Sequence, residues 1–216
     1  MSPSHPTLSL LETRILGVLV EKELTVPDTY PLSLNALTAG CNQKSNRDPV
    51  IDASETDVLD ALDRLRSLSL VIESLGSRVT RYAQNIGRVL QIPSQAVALL
   101  TTLMLRGPQT IAELRANSER LHRFADASSV EAFLTELAER SSGALVVELP
   151  RMPGARETRW THLLSGMPEI TAPPLSVAAP GGDTALAARV AALENEIAEL
   201  RAELQTLYER LDALDK

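Results

Sequence analysis

Ten consecutive residues, Cys41-Asn42-Gln43-Lys44-Ser45-Asn46-Arg47-Asp48-Pro49-Val50, form the densest polar segment of the chain. Gln43, Lys44, Asn46 and Arg47 carry the donors and acceptors that meet phosphate oxygens or base edges. The same residue types also hold irregular turns together, because Asn, Ser and Asp side chains bond nearby backbone amides. Only two of the ten are cations, so both readings stand. A second candidate set is arginine-rich: Arg78, Arg81, Arg151, Arg156 and Arg159 flank paired strand-like segments, and Arg115, Arg120 and Arg123 follow a short helical one. These eight could form a ridge that contacts phosphate, or a solvated surface paired with neighbouring glutamates.

Acid–base, metal and nucleophilic chemistry find little support. His5, His122 and His162 lack ligand spacing or a partnered carboxylate. The single Cys41 excludes an internal disulfide and any zinc site built on paired cysteines. It falls at an apolar helical position, where a thiol is core rather than nucleophile. There is no glycine-rich phosphate loop. The expectation is a protein that is not an enzyme, with no catalytic residue, metal or cofactor.

The elements that must position these residues occur twice. Leu70-Val71-Ile72-Glu73 followed by Thr80-Arg81-Tyr82 is echoed by Leu145-Val146-Val147-Glu148 followed by Thr158-Arg159-Trp160. A period of about 75 residues that ends each time in strand, turn and strand marks two copies of one unit. Capping boxes are expected at Ser9-x-x-Glu12, Thr110-x-x-Glu113 and Ser128-x-x-Glu131, with a weaker one at Ser54-x-x-Asp57. In the first copy, helices are expected over about 10–24, with a stripe of Leu11, Ile15, Val18 and Leu19, from about Ser33, and over 54–68. In the second copy they are expected over about 95–106, 111–119 and 130–140. The hairpins turn at Gly76-Ser77 and through 150–157. Val71, Ile72 and Tyr82, with Val146, Val147 and Trp160, are the expected strand contributions to the core. Three helices and a hairpin in this order make a winged helix-turn-helix.

A linker with four prolines and Gly181-Gly182 covers 167–184, and a heptad run follows. Val190, Ile197, Leu204 and Leu211 fall at a, and Leu193, Leu200, Leu207 and Leu214 at d. Arg189–Glu194, Glu196–Arg201 and Arg210–Asp215 match across a parallel pair. These residues predict a parallel homodimer. The alternative is an amphipathic helix folded back on its own chain.

The net charge of −7 is uneven: −3 over 8–87, +1 over 88–166 and −5 over 167–216. No block has the excess of a tight nonspecific DNA binder. The expected third helices are acidic, with Glu55, Asp57, Asp60 and Asp63 in one copy and Glu131, Glu136 and Glu139 in the other, which opposes ordinary major-groove docking. No stretch reaches 18 apolar residues, and the N-terminus has no basic flank or apolar run, so a cytoplasmic protein without membrane contact is expected.

Tyr30-Pro31-Leu32-Ser33, Asn35, the string from Cys41 to Val50, Arg78-Val79-Thr80 and Leu105-Arg106-Gly107-x-Gln109-Thr110 together resemble the YceH-like family of bacterial proteins, over about residues 8–166. The resemblance implies a tandem winged-helix fold and brings no established activity or catalytic residue. The heptad tail looks like a variable extension of that family.

The sequence therefore predicts a mainly α fold with small β-hairpins (α+β): 1–7 a disordered N-terminus, 8–87 and 88–166 two winged helix-turn-helix domains, 167–184 a Pro/Gly-rich linker and 185–216 a coiled coil. Its leading functional expectation is double-stranded DNA bound through wings and polar turn. The rival is a protein-interaction scaffold that binds a protein partner.

Overall fold

Ser9, Ser33, Ser54 and Thr110 each have extended backbone and accept a hydrogen bond from the amide three residues on. Each therefore starts a helix where its hydroxyl replaces a missing intrahelical carbonyl. A computed structural model describes residues 6–75, 79–152 and 154–167. The helices are α1 (Leu10–Thr25), α2 (Leu34–Cys41), α3 (Glu55–Ser67), α4 (Ile86–Leu90), α5 (Ser94–Arg106), α6 (Ile111–Asn117) and α7 (Ala127–Ala138). The strands are β1 (Leu32–Ser33), β2 (Val71–Leu75), β3 (Thr80–Gln84), β4 (Val146–Leu149) and β5 (Arg159–His162). They form two small antiparallel sheets, ordered β1-β3-β2 and β4-β5. The turn at Gly76-Ser77, Arg78, the linker from 168 on and the whole heptad run lie outside the described residues.

The two halves repeat one another in detail. Leu32 pairs with Tyr82 in β3, and Gln109 bridges to Trp160 in β5, in each case just before the cap of the second helix. Arg81 donates to the Pro31 carbonyl at 2.7 Å, and Arg159 donates to that of Pro108 at 2.8 Å. The copies differ in two places. Ser33 and the buried Val58 are 25 residues apart, whereas Thr110 and Val130 are 20 apart, so the first copy is five residues longer here, mostly in the connection that carries the polar turn. The second hairpin is longer, with Val146 pairing His162 where Val71 pairs Gln84.

Helix α1 is buried on all sides from Glu12 to Val20. A stripe was expected; burial all round follows because α2 and α3 cover one side and α5 of the second half covers another. Gly17 permits the approach of α5, since a Cβ there would stand 2.7 Å from Leu105 Cδ2. One apolar cluster accordingly runs from Leu8 through Leu99 and Leu100 to Leu164, and the described residues up to Met167 fall in one compact unit. The boundary expected at 87–88 lies inside α4, a helix the sequence reading missed, whose Ile86 and Leu90 face this core.

Two further expectations are corrected. Helix α7 starts at Asp126 rather than Ser128, because the Asp126 carboxylate accepts the Ser129 amide at 2.8 Å and Asp caps as well as Ser. Ile72 is 48% exposed and Val147 half-buried, while Val71, Tyr82, Val146 and Trp160 are buried. Adjacent strand residues point to opposite faces, and here Val71 and Val146 take the inward one.

Candidate functional site

The polar turn is braced from within. Arg14, fully buried on α1, donates to the Cys41 carbonyl at 3.2 Å and to that of Pro49 at 2.6 Å, thereby spanning the turn's two ends. Arg47 has no exposed side-chain surface and donates to both oxygens of Glu21, at 2.6 and 3.2 Å, and to the Gly40 carbonyl. Burial alone would raise the Glu21 carboxyl, but hydrogen bonding and charge from Arg47 outweigh it and hold the group below its ordinary value. Asn42 binds Ala53 through both its amide oxygen and its amide nitrogen, each at 2.8 Å. Arg47 thus leaves the set of residues able to meet an external phosphate, because its charge is spent on a partly buried carboxylate.

The turn also reaches across to the second half. The Asp48 amide donates to the Leu105 carbonyl at 2.8 Å, and Arg106 donates to Asn46 Oδ1 at 2.6 Å. Beside this junction lies a cleft of about 130 Å³. Glu21, Lys22, Gln43 and Asn46 line it from the first half, and Arg106, Asn117 and Arg120 from the second. Gln43 and Asn46 are therefore brought together with Arg120, far from them in sequence, and Lys22 and Arg106 join them without having been singled out. Lys44 stands exposed beside them at the turn's tip.

The other arginines disperse. Arg81 and Arg159 hold backbone carbonyls, Arg159 also pairing with Glu113 at 3.1 Å. Arg115 donates to the Ala125 carbonyl, and Arg123 reaches Glu119 at 3.8 Å with both exposed. Arg151 and Arg156 are exposed and, like Lys44 and Arg120, have no protein partner among the described residues. Carboxylates on α3 and α7 face water: Glu55, Asp57, Asp60 and Asp63 on one, Glu131, Glu136 and Glu139 on the other. Nearby cations are drawn off, Arg64 to Glu12, Arg66 to Asp63 and Glu73, and Arg140 to the Leu90 carbonyl.

The family model described as "Protein of unknown function, DUF480" matches residues 8–155. The chain belongs to this family. It is 62% identical over 205 residues to the UPF0502 protein of Dechloromonas aromatica, covering 94% of this chain and 96% of the relative. It is 63% identical over 196 residues to the UPF0502 protein of Leptothrix cholodnii, covering 91% and 85%. It is also 56% identical over 225 residues to that of Burkholderia orbicola, covering 97% and 94%. The DUF480 match takes in every residue that lines the cleft.

Sequence reasoning missed Arg14 outright. Its signal was the unbroken run Ile15–Val20, too long for one stripe, which places its neighbours in the interior as well. Cys41 is fully buried, and burial pushes its thiol up to about 12, so it serves as core. Among the described residues no helix is long and apolar enough to cross a membrane, and no cluster of three His, Cys, Asp or Glu residues could hold a metal.

Proposed function

We propose that this DUF480 protein is a non-enzymatic, cofactor-free tandem winged-helix protein of regulator type that binds duplex DNA through its phosphate backbone. Lys44 at the turn and Arg151 and Arg156 in the second wing make the contacts, with Arg81 and Arg159 held at the wing bases. The element order of each half and its repeated arginine-to-carbonyl bond support the winged-helix reading. One observation carries the DNA reading: Lys44, Arg151 and Arg156 are exposed cations with no protein partner among the described residues. The exposed carboxylates of α3 and α7 turn those helices away from the groove, so approach is by turn and wing. The heptad positions, outside the described residues, make the active form a parallel dimer in the cytoplasm.

Fluorescence anisotropy on mixed-sequence duplex, with rising salt, tests this. The triple variant Lys44→Ala/Arg151→Ala/Arg156→Ala lowers the magnitude of the log–log salt slope by roughly 2 to 3, at about 0.9 per phosphate contact. Absence of binding by the wild type at low salt removes DNA as the partner. Comparing the solution mass of the full chain with one ending at Gly182 tests the dimer, and two monomers would refute it.

A second reading, a scaffold for a basic protein partner, rests on α3, which exposes Asp57, Asp60 and Asp63 together with Leu59, itself 39% exposed. Asp57→Asn/Asp60→Asn/Asp63→Asn tightens DNA association under the first reading, by removing repulsion. Under the second there is no DNA association to tighten.

A further inference from the structure

We propose that the cleft between the halves binds a small oxyanion, of phosphate or short-dicarboxylate size, between Lys22, Arg106 and Arg120. Three cations line it against one carboxylate, and that carboxylate, Glu21, already accepts from Arg47 through both oxygens and lies 3.3 Å from Lys22. Positive charge is therefore left over in a partly enclosed place. Burial, and then the charge of Arg47, lower the Arg106 guanidinium's proton affinity, with Glu21 only partly opposing them. A bound anion relieves that field. Arg120 has no protein partner among the described residues, so its donors are free for a ligand. Gln43 and Asn46 from the first half and Asn117 from the second add amide groups to the lining, the form in which sites combine charge with orientation.

Size selects the class. The cleft has a volume of about 130 Å³. It falls below the about 300–1,000 Å³ of pockets for drug-sized ligands. A nucleotide is too large; phosphate or a four-carbon dicarboxylate fits. The ligand would touch α1 and the turn on one side and α5 and the end of α6 on the other, so it would tie the halves where Asn46 already meets Arg106. This goes beyond the DNA reading and needs none of Lys44, Arg151 or Arg156.

The full chain is unfolded thermally with increasing inorganic phosphate, succinate or, at matched ionic strength, sodium chloride, and each anion is titrated calorimetrically. A saturable rise in midpoint with phosphate or succinate, beyond the chloride effect, is expected, and the responding probe identifies the anion class. Arg120→Gln, which breaks no protein contact, weakens binding at least about tenfold, whereas the Lys44/Arg151/Arg156 triple variant binds as the wild type does. Equal shifts with all three salts, or undiminished binding by Arg120→Gln, overturn the proposal. Because the DNA assay varies other residues, either idea can fail while the other stands.

Discussion

Arg47 clasps Glu21 across 26 residues of sequence, its two terminal nitrogens donating at 2.6 and 3.2 Å to the two carboxylate oxygens. A bidentate pair in so little water fixes the polar turn against α1. It converts the most conspicuous cation of that turn from a candidate ligand contact into a structural tie.

Arg47→Ala leaves Glu21 with a charge in a largely buried site. A stability loss of about 3 kcal/mol is expected, as for a buried pair broken from one side, read as a fall in urea midpoint. The folded Glu21 carboxyl is held below its ordinary 4.5, so this contribution is present above that value and fades as pH drops through the folded one. A variant as stable as the wild type at neutral pH would refute the tie.

Gly40→Ala tests packing and cooperativity together. The added Cβ would stand 2.6 Å from Val18 Cγ1, a stiff and fully buried side chain. Better helix propensity returns up to about 1 kcal/mol, but overpacking costs about 1–3 kcal/mol, so the net effect is a loss. Trp160, the only tryptophan, lies in the other half. Because one core serves both halves, its fluorescence midpoint and the circular dichroism midpoint should fall together. A Trp160 transition that does not move would mean the halves unfold separately.

Cys41 should resist thiol reagents in the native chain, being fully buried with its thiol pushed up to about 12. Dithionitrobenzoate at pH 8 should label it only as the chain unfolds, at a rate that rises with urea. Rapid labelling of the folded protein would contradict the geometry.

Burial holds the His162 imidazole down to about 4, against an ordinary 6.5. Between these values the unfolded chain takes up a proton that the folded one refuses. Stability therefore falls as pH is lowered through that window, by at most roughly 1.4 kcal/mol per unit. His162→Leu should flatten this part of the profile in urea melts from pH 7 to 4; an unchanged slope would assign the acid sensitivity elsewhere.

Much of the architecture was readable along the chain. Ser9, Ser33, Ser54 and Thr110 cap their helices through partners three residues away, and the duplicated strands pair with near neighbours. Such interactions are local, so residue type and spacing carry them. Asp126 replaces Ser128 as the cap because two residues of equal capping strength, two positions apart, compete, and tertiary placement chooses between them. Residue type alone places Ile72 and Val147 in the core with their neighbours, whereas strand alternation sends one of each pair outward.

The candidate site was far less legible. Gln43, Asn46 and Arg120 were each visible as polar residues, but their common cleft depends on α5 crossing α1 at Gly17. Arginine fate was equally hidden: Arg14 finds carbonyls 27 and 35 residues on, Arg81 one 50 residues back, and Arg159 one 51 back. Helix starts and the duplication follow from local hydrogen bonding and periodicity, which the order of residues alone dictates. Which cations face water and which are consumed inside was decided only by the packed chain. A guanidinium's role is set by whichever carbonyl or carboxylate the fold brings within 3 Å, and that distance has no local sequence signature.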